Sequence, residues 1–323
     1  PQKWQYFLDL CAELELRPLL RLATVYDRAA GMWVAPTADA DGRYQTIAQQ
    51  YATFIAQLTW AEPPILIVGN EPNHGDEWGG VPDPAAYGRF LLDVSEAVKI
   101  QRPDALILNA GLDLYAPHTN GEPFVNGFVY LDAETFLDEM VAAEPTVLSV
   151  LDGWSSHAYP LGPFTRPPWE QIYQRDMLNG AVNPAHRPPP DGVYNRGVNG
   201  YEWELWKLAQ YGVTDLPVYI TETGWRHAET ADDAATDNGP GDLPATAVMA
   251  AYLELALVGN TRFEALPTQG WTPWLDDDRV AAVTFFAFNG RPLEWGHTNW
   301  LILDQNGRIQ GNYFPDFYAT MTP

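Results

Sequence analysis

The chain is 323 residues long, with 46% hydrophobic residues and a formal charge of -24. That hydrophobic share excludes a disordered chain, and a surface so acidic excludes nucleic acid and anionic membranes as natural partners. No apolar run reaches the length of about 18 residues that a membrane span needs, and Cys11 is the only cysteine, so no intrachain disulfide can form.

In chain order, Trp4, Phe7, Leu8, Cys11 and Leu14 recur at helical spacing, so residues 1–15 read as an amphipathic helix. It leads into a strand over 18–25, and a long loop carrying Trp33 follows. A second helix spans 44–60, through Ile47, Tyr51, Phe54, Ile55 and Leu58. After Pro63-Pro64 comes the densest signal, Ile65-Leu-Ile-Val-Gly-Asn70-Glu71-Pro72-Asn73. Four consecutive aliphatic residues mark a strand buried on both faces, and Gly69 and Pro72 put Glu71 at its carboxyl end.

A helix after Pro84, a strand over 105–109 and a helix over 133–143 follow. The next strand ends in Ser156-His157-Ala158-Tyr159, and a proline- and aromatic-rich excursion runs to about residue 199. A helix over 201–211 precedes Leu216-Pro-Val-Tyr-Ile-Thr-Glu222-Thr-Gly224-Trp225, again an apolar strand ending in a glutamate and a turn glycine. Residues 226–244 are acidic and glycine-rich and read as a mobile loop. A helix over 245–258, a strand over 280–288, a hairpin around Gln305-Asn306-Gly307 and a short helix over 315–321 complete the chain.

Strands alternating with helices give a parallel sheet. Six such strands suit a doubly wound sheet by number, but neither G-x-G-x-x-G nor G-x-x-x-x-G-K occurs to hold a phosphate. The expectation is a single α/β domain over 1–323, a (β/α)8 TIM barrel whose first two strands lie upstream of residue 1, because the chain starts on a helix in mid-pattern. Two carboxylates delivered to one end of a parallel sheet are the minimal equipment for splitting a glycosidic bond.

Asn70-Glu71-Pro72 and Thr221-Glu222-Thr223-Gly224-Trp225 resemble the retaining glycoside hydrolases of clan A, the "4/7" barrels with glutamates at the ends of strands four and seven. Counting the first visible strand as the third brings Glu71 to strand four, His157 and Tyr159 to strand six, and Glu222 to strand seven. The resemblance implies Glu222 as nucleophile, Glu71 as acid/base, Asn70 on the substrate's 2-hydroxyl, Tyr159 as donor to the nucleophile, and His157 orienting Glu222 or the sugar. Strand eight departs from the pattern. It reads Phe285-Phe286-Ala287-Phe288-Asn289 where the clan carries a tryptophan, leaving Trp295 or Trp300 to supply a sugar platform.

Further candidates for substrate contact are Asn109 at a strand end, His74 and Trp78 after the acid/base, and Trp225 beside the nucleophile; each is equally readable as a turn or packing residue. The 13 tryptophans suggest sugar-stacking surfaces, although large barrels also bury indoles. No metal is expected: one cysteine rules out a thiolate cage, H-E-x-x-H is absent, and Asp39-Ala-Asp41-Gly42 reads as a turn. Asp276-Asp277-Asp278 reads as a solvated helix end. The expected activity is hydrolysis of β-linked neutral glycans or glycosides without a cofactor. The alternative is a barrel that binds carbohydrate without cleaving it. Extracellular and cytoplasmic bacterial locations both fit, and oligomeric state is left open.

Overall fold

The computed structural model describes residues 1–323 except 179–180, 229–242, 244, 260–271, 291–295, 305, 307 and 322–323. The chain divides into two compact units, and the division falls inside one strand, between Ser155 and Ser156.

The first unit comprises residues 1–155, 175–187 and 207–217. Helix α1 (Gln2–Glu13) buries Leu8 and Cys11 and leads to strand β1 (Leu19–Leu22). The long loop around Trp33 contains a small antiparallel ladder, β2 (Tyr26–Asp27) on β3 (Met32–Trp33). Helix α2 (Gln45–Ala56) turns Ala48, Ala52 and Ile55 inward, the two alanines small enough to let it lie close to its neighbours. Strand β4 (Ile65–Val68) is buried at every position, as its continuous aliphatic run demands.

Helix α3 (Pro84–Gln101) starts on Asp83, whose carboxylate accepts from the Ala86 amide at 2.9 Å, with proline at the first turn where its missing N–H costs nothing. Strand β5 (Leu106–Asn109) completes a three-stranded parallel sheet in the order β1-β4-β5, with Leu22 beside Val68 and Val68 beside Asn109. Helix α4 (Ala133–Ala143) is capped by Asp132, which accepts from the Thr135 amide at 2.9 Å. Strand β6 (Trp154–His157) is buried throughout, and a parallel bridge joins Gly153 to Leu108.

The second unit comprises residues 156–174, 188–206 and 218–323. It opens with the end of β6 and a single helical turn, α5 (Leu161–Phe164). Within the excursion to residue 199, Met177–Leu178 (β7) pairs Ala181–Val182 (β8), a ladder that belongs to the first unit. Helix α6 (Tyr201–Gln210) and strand β9 (Val218–Thr223) follow, then α7 (Thr246–Val258) and β10 (Val280–Phe285). The parallel sheet here runs in the order β10-β9-β6. An antiparallel pair, β11 (Leu301–Leu303) and β12 (Ile309–Tyr313), flanks the expected hairpin, and a helix over Pro315–Met321 closes the chain. The core collects Val218, Ile220, Met249, Leu253, Trp274 and Phe317.

The alternation of parallel strands and helices is therefore present. Among the described residues the strands form two separate three-stranded parallel sheets, and a closed eight-stranded ring is not seen. Of the aspartate triplet, Asp276 and Asp278 are exposed beside a short helical turn, as expected, and only Asp277 departs from that reading. Asp277 is buried, accepts from the Tyr201 hydroxyl at 2.8 Å and from Arg279 Nε at 2.8 Å, and so anchors the start of β10 rather than lying in solvent. Its burial opposes ionisation, but the Arg279 and Tyr201 donors outweigh that and hold its carboxyl below the usual aspartate range. Asp39–Gly42 forms the expected turn: the Gly42 amide donates to the Asp39 carbonyl at 2.9 Å.

Candidate active site

In the first unit, Glu71 stands just past β4 in a loop whose backbone is pinned on both sides. Its N–H donates to the Gly111 carbonyl at 3.0 Å, and its carbonyl accepts from the His74 amide at 2.8 Å. Its φ is 32°, a left-handed conformation that costs a non-glycine residue of order 1–3 kcal/mol and survives only where surrounding bonds dictate it. The loop is tied down further by Asn73, which is fully buried. Its Nδ2 donates to the carbonyls of Asp113 (2.9 Å) and Leu131 (3.1 Å), while its Oδ1 accepts from the Asp113 amide (3.2 Å). Gly75 is required next: a Cβ there would sit 2.3 Å from the Gly80 carbonyl oxygen.

His74 follows one turn after Glu71. Its Nε2 lies 2.6 Å from Asp113 Oδ2, its Nδ1 lies 3.8 Å from Glu71 Oε2 and 3.6 Å from Asp76 Oδ1, and its ring meets the edge of Tyr130 at 4.7 Å. Burial works against a charged ring here. The carboxylates of Asp113, Glu71 and Asp76 outweigh it and push the imidazole up to about 10, so His74 is an imidazolium at neutral pH. Asp113, Asp76 and Tyr130 were not predicted. Asp113 follows the carboxyl end of β5 in Gly111-Leu112-Asp113, a position that flags polar residues, but nothing in the spacing ties it to His74.

Asn70 helps line a narrow cleft of about 20 Å³ with Arg21, Thr24, Trp33 and Glu77. Trp78 also borders this cleft, but its ring is buried edge-on against Tyr87 (5.6 Å) and Phe90 (6.0 Å), which makes it a core residue. Asn109 is spent within the sheet. Its Nδ2 donates to the carbonyls of Ala110 (2.7 Å) and Ser155 (3.0 Å), its Oδ1 accepts from the Ser155 amide (2.8 Å), and this side chain joins β5 to β6 where substrate contact was expected.

In the second unit, Glu222 is the penultimate residue of β9, with its side chain 23% exposed. The Tyr159 hydroxyl donates to Glu222 Oε2 at 3.2 Å, and His157 Nδ1 lies 3.9 Å from the same oxygen. Tyr159 is itself stacked on Phe164, with centroids 4.3 Å apart. The strand end is fixed by threonines on either side of the glutamate. Thr223 Oγ1 donates to the Ala158 carbonyl at 2.7 Å, and Thr284 Oγ1 donates to that of Thr221 at 2.5 Å. Gly224 admits no side chain, since a Cβ would approach the Phe286 carbonyl oxygen to 2.5 Å.

The tryptophans around this carboxylate are structural. Trp225 is buried and donates from Nε1 to the Arg166 carbonyl at 2.9 Å. Trp300 is sandwiched between Phe285 (5.1 Å) and Phe317 (5.4 Å), both stacked on it, which removes it as an open sugar platform. Trp295 and most of the 226–244 loop lie outside the described residues. Among the described tryptophans only Trp4, on α1, is exposed, so packing accounts for most of the indoles.

Ligating side chains also converge in the first unit, as Asp132, Asp176 and His186 and as Glu134, Asp138 and His186. Several of their groups are engaged within the protein. Asp132 takes hydrogen bonds from His118 Nδ1 (2.5 Å) and the Thr135 amide, and Lys207 Nζ stands 3.1 Å from Glu134 and 2.8 Å from Asp138. Burial raises Glu134 above the usual glutamate range despite Lys207.

No family model and no curated protein matches the chain. Solved structures do. A family 39 glycoside hydrolase from the gut symbiont Bacteroides cellulosilyticus WH2 aligns over 99% of this chain and 52% of its own, at 18% identity and a TM-score of 0.52. A monomeric β-xylosidase from Caulobacter crescentus CB15 aligns over 99% and 55%, at 17% identity and a TM-score of 0.52. A fungal β-1,4-galactanase aligns over 98% and 81%, at 11% identity and a TM-score of 0.54. The chain thus spans about half the length of the first two. The likeness shows that the chain shares the fold of these glycoside hydrolase structures.

Proposed function

We propose that the protein is a retaining glycoside hydrolase acting on a β-linked neutral glycan or glycoside, with Glu222 as nucleophile and Glu71 as acid/base. One observation carries this reading: Glu222, at the carboxyl end of a parallel strand, takes a hydrogen bond from the Tyr159 hydroxyl with His157 close by. A nucleophilic carboxylate must stay ionised while awaiting substrate, and a donor aimed at one of its oxygens favours that form. Glu71 occupies the equivalent place after another parallel strand, in a backbone conformation that only the surrounding hydrogen bonds maintain.

In the double displacement, the Glu222 carboxylate attacks the anomeric carbon as Glu71 protonates the departing glycosidic oxygen. The resulting glycosyl-enzyme is hydrolysed by water that Glu71, now ionised, deprotonates. Retaining chemistry of this kind calls for carboxyl groups about 5–5.5 Å apart. Asn70 serves the 2-hydroxyl of the reacting sugar. The shared fold with glycosidase structures supports the reaction class, and the acidic surface favours an uncharged substrate.

The test is a panel of aryl β-glycosides. Glu222→Ala is expected to abolish turnover on all of them. Glu71→Gln is expected to lose about 10²–10⁴-fold on poor leaving groups and far less in the first step with activated ones, because general acid help is needed only for the former. A wild-type protein as inert as Glu222→Ala across neutral β-glycosides, yet retaining them on an affinity column, would leave a binding protein instead.

A further inference from the structure

We propose that His74 is the positioning residue of Glu71, an imidazolium clamped by Asp113 that fixes where the Glu71 carboxyl group stands during proton transfer. The inference rests on the acid/base role just proposed for Glu71, and it adds a residue pair to that site.

The geometry is a chain of three groups, Asp113–His74–Glu71. Asp113 is itself immobilised: its Oδ1 accepts from the Tyr115 amide at 2.7 Å, and its own amide donates to Asn73. That leaves Oδ2 to hold His74 Nε2 at 2.6 Å, a charge-assisted distance. With Nε2 fixed and Tyr130 against the ring, His74 has one orientation, and in it Nδ1 points to the carboxylates of Glu71 and Asp76 at 3.8 Å and 3.6 Å. The His74 side chain is 18% exposed and that of Glu71 17%, so solvent screens the pair only in part.

Among the described residues, three carboxylates and a tyrosine face the ring. Asp113 binds it, Glu71 and Asp76 share its Nδ1 side, and Tyr130 packs on it with a hydroxyl raised by burial above the usual tyrosine range. A general acid is effective only within hydrogen-bond reach of the oxygen it protonates. An acid/base on a loop needs an outside anchor for its side chain, and this ion pair supplies one.

The experiment compares His74→Gln and Asp113→Asn with wild type on two aryl β-glycosides, one with a poor and one with an activated leaving group. Expected for His74→Gln is a loss of about tenfold in kcat/KM on the poor leaving group, carried in kcat with KM unchanged, and little loss in the first step on the activated one. Asp113→Asn should show the same leaving-group dependence at smaller size. Equal losses on both substrates would mean a merely structural role and overturn the proposal. Should either variant fail to fold, the wild-type imidazole is read directly by NMR of histidine-labelled protein at about pH 8. An imidazolium with both ring protons present is expected, and a neutral His74 there overturns the proposal. The two readings fail separately. If Glu71→Gln shows the leaving-group signature and His74→Gln does not, only the positioning role falls; if Glu71→Gln leaves turnover intact, the acid/base assignment itself is lost.

Discussion

Glu71 and Glu222 reach the ends of parallel strands by different physical routes. Glu222 is still part of its strand, so the β9 ladder and the Thr223 and Thr284 hydroxyls set its backbone, and only its carboxylate needs outside donors. Glu71 has left its strand. Its left-handed backbone is held by the loop after β5, which Asn73 ties down, and its carboxylate faces the imidazolium of His74. The lesson is that a carboxylate inside a ladder gets its position from the fold, while one on a loop has to get it from side chains. Stability and activity should therefore be linked at Glu71 and separable at Glu222.

The sharpest way to break this contrast is to remove the clip under each glutamate. Asn73→Ala deletes three hydrogen bonds and strands buried backbone groups, so it is expected to cost about 2–4 kcal/mol of stability. Thr223→Val deletes one hydroxyl bond and is expected to cost about 1–2 kcal/mol. Urea denaturation of both variants checks the order. Equal costs would mean that the Glu71 loop is held by something other than Asn73.

At Glu222 the contrast predicts function lost without stability. Tyr159→Phe removes the donor to Oε2 while keeping the ring stacked on Phe164. A hydrogen bond to a charged acceptor contributes about 1.5–3 kcal/mol, so kcat/KM should fall about 10–100-fold with the melting temperature nearly unchanged. Steady-state kinetics beside a thermal melt decide it. An unchanged kcat/KM would show that the tyrosine does not serve the carboxylate.

The contrast also explains which parts were legible in the sequence. Strand β4 announces itself because burial on both faces demands an unbroken aliphatic run, β9 by its apolar Val218-Tyr219-Ile220 start, and the glutamates stand out as the charges that stop them. Helix α4 was readable to the residue because Asp132 caps it just before the periodic apolar positions begin. The two-residue ladders β2–β3 and β7–β8 left no signal, since so short a pairing is imposed by the surroundings and not by local preference. The His74–Asp113 pair was invisible for another reason: its members are 39 positions apart and meet only because β4 and β5 are neighbours in the sheet. Asn109 and Trp300 were readable either way, because an amide at a strand end or an indole near a site looks the same whether it faces a sugar or the core.

The smallest predicted effect separates the two regions by pH alone. His74 is raised from 6.5 to about 10 by its carboxylate neighbours, so the folded state binds its proton more tightly than the unfolded chain does. The stability this contributes is complete below about pH 6.5 and is lost as the pH climbs through about 10. Burial holds the Tyr130 hydroxyl above the usual tyrosine range, so it does not titrate early in that window. Wild type should therefore melt above His74→Gln by a few degrees near pH 6, with the gap shrinking toward pH 10, whereas Tyr159→Phe should track wild type at every pH. Thermal melts of the three proteins at about pH 6, 8 and 10 test this. A gap between wild type and His74→Gln that did not change with pH would mean that the imidazole packs in the Glu71 loop without carrying its charge there.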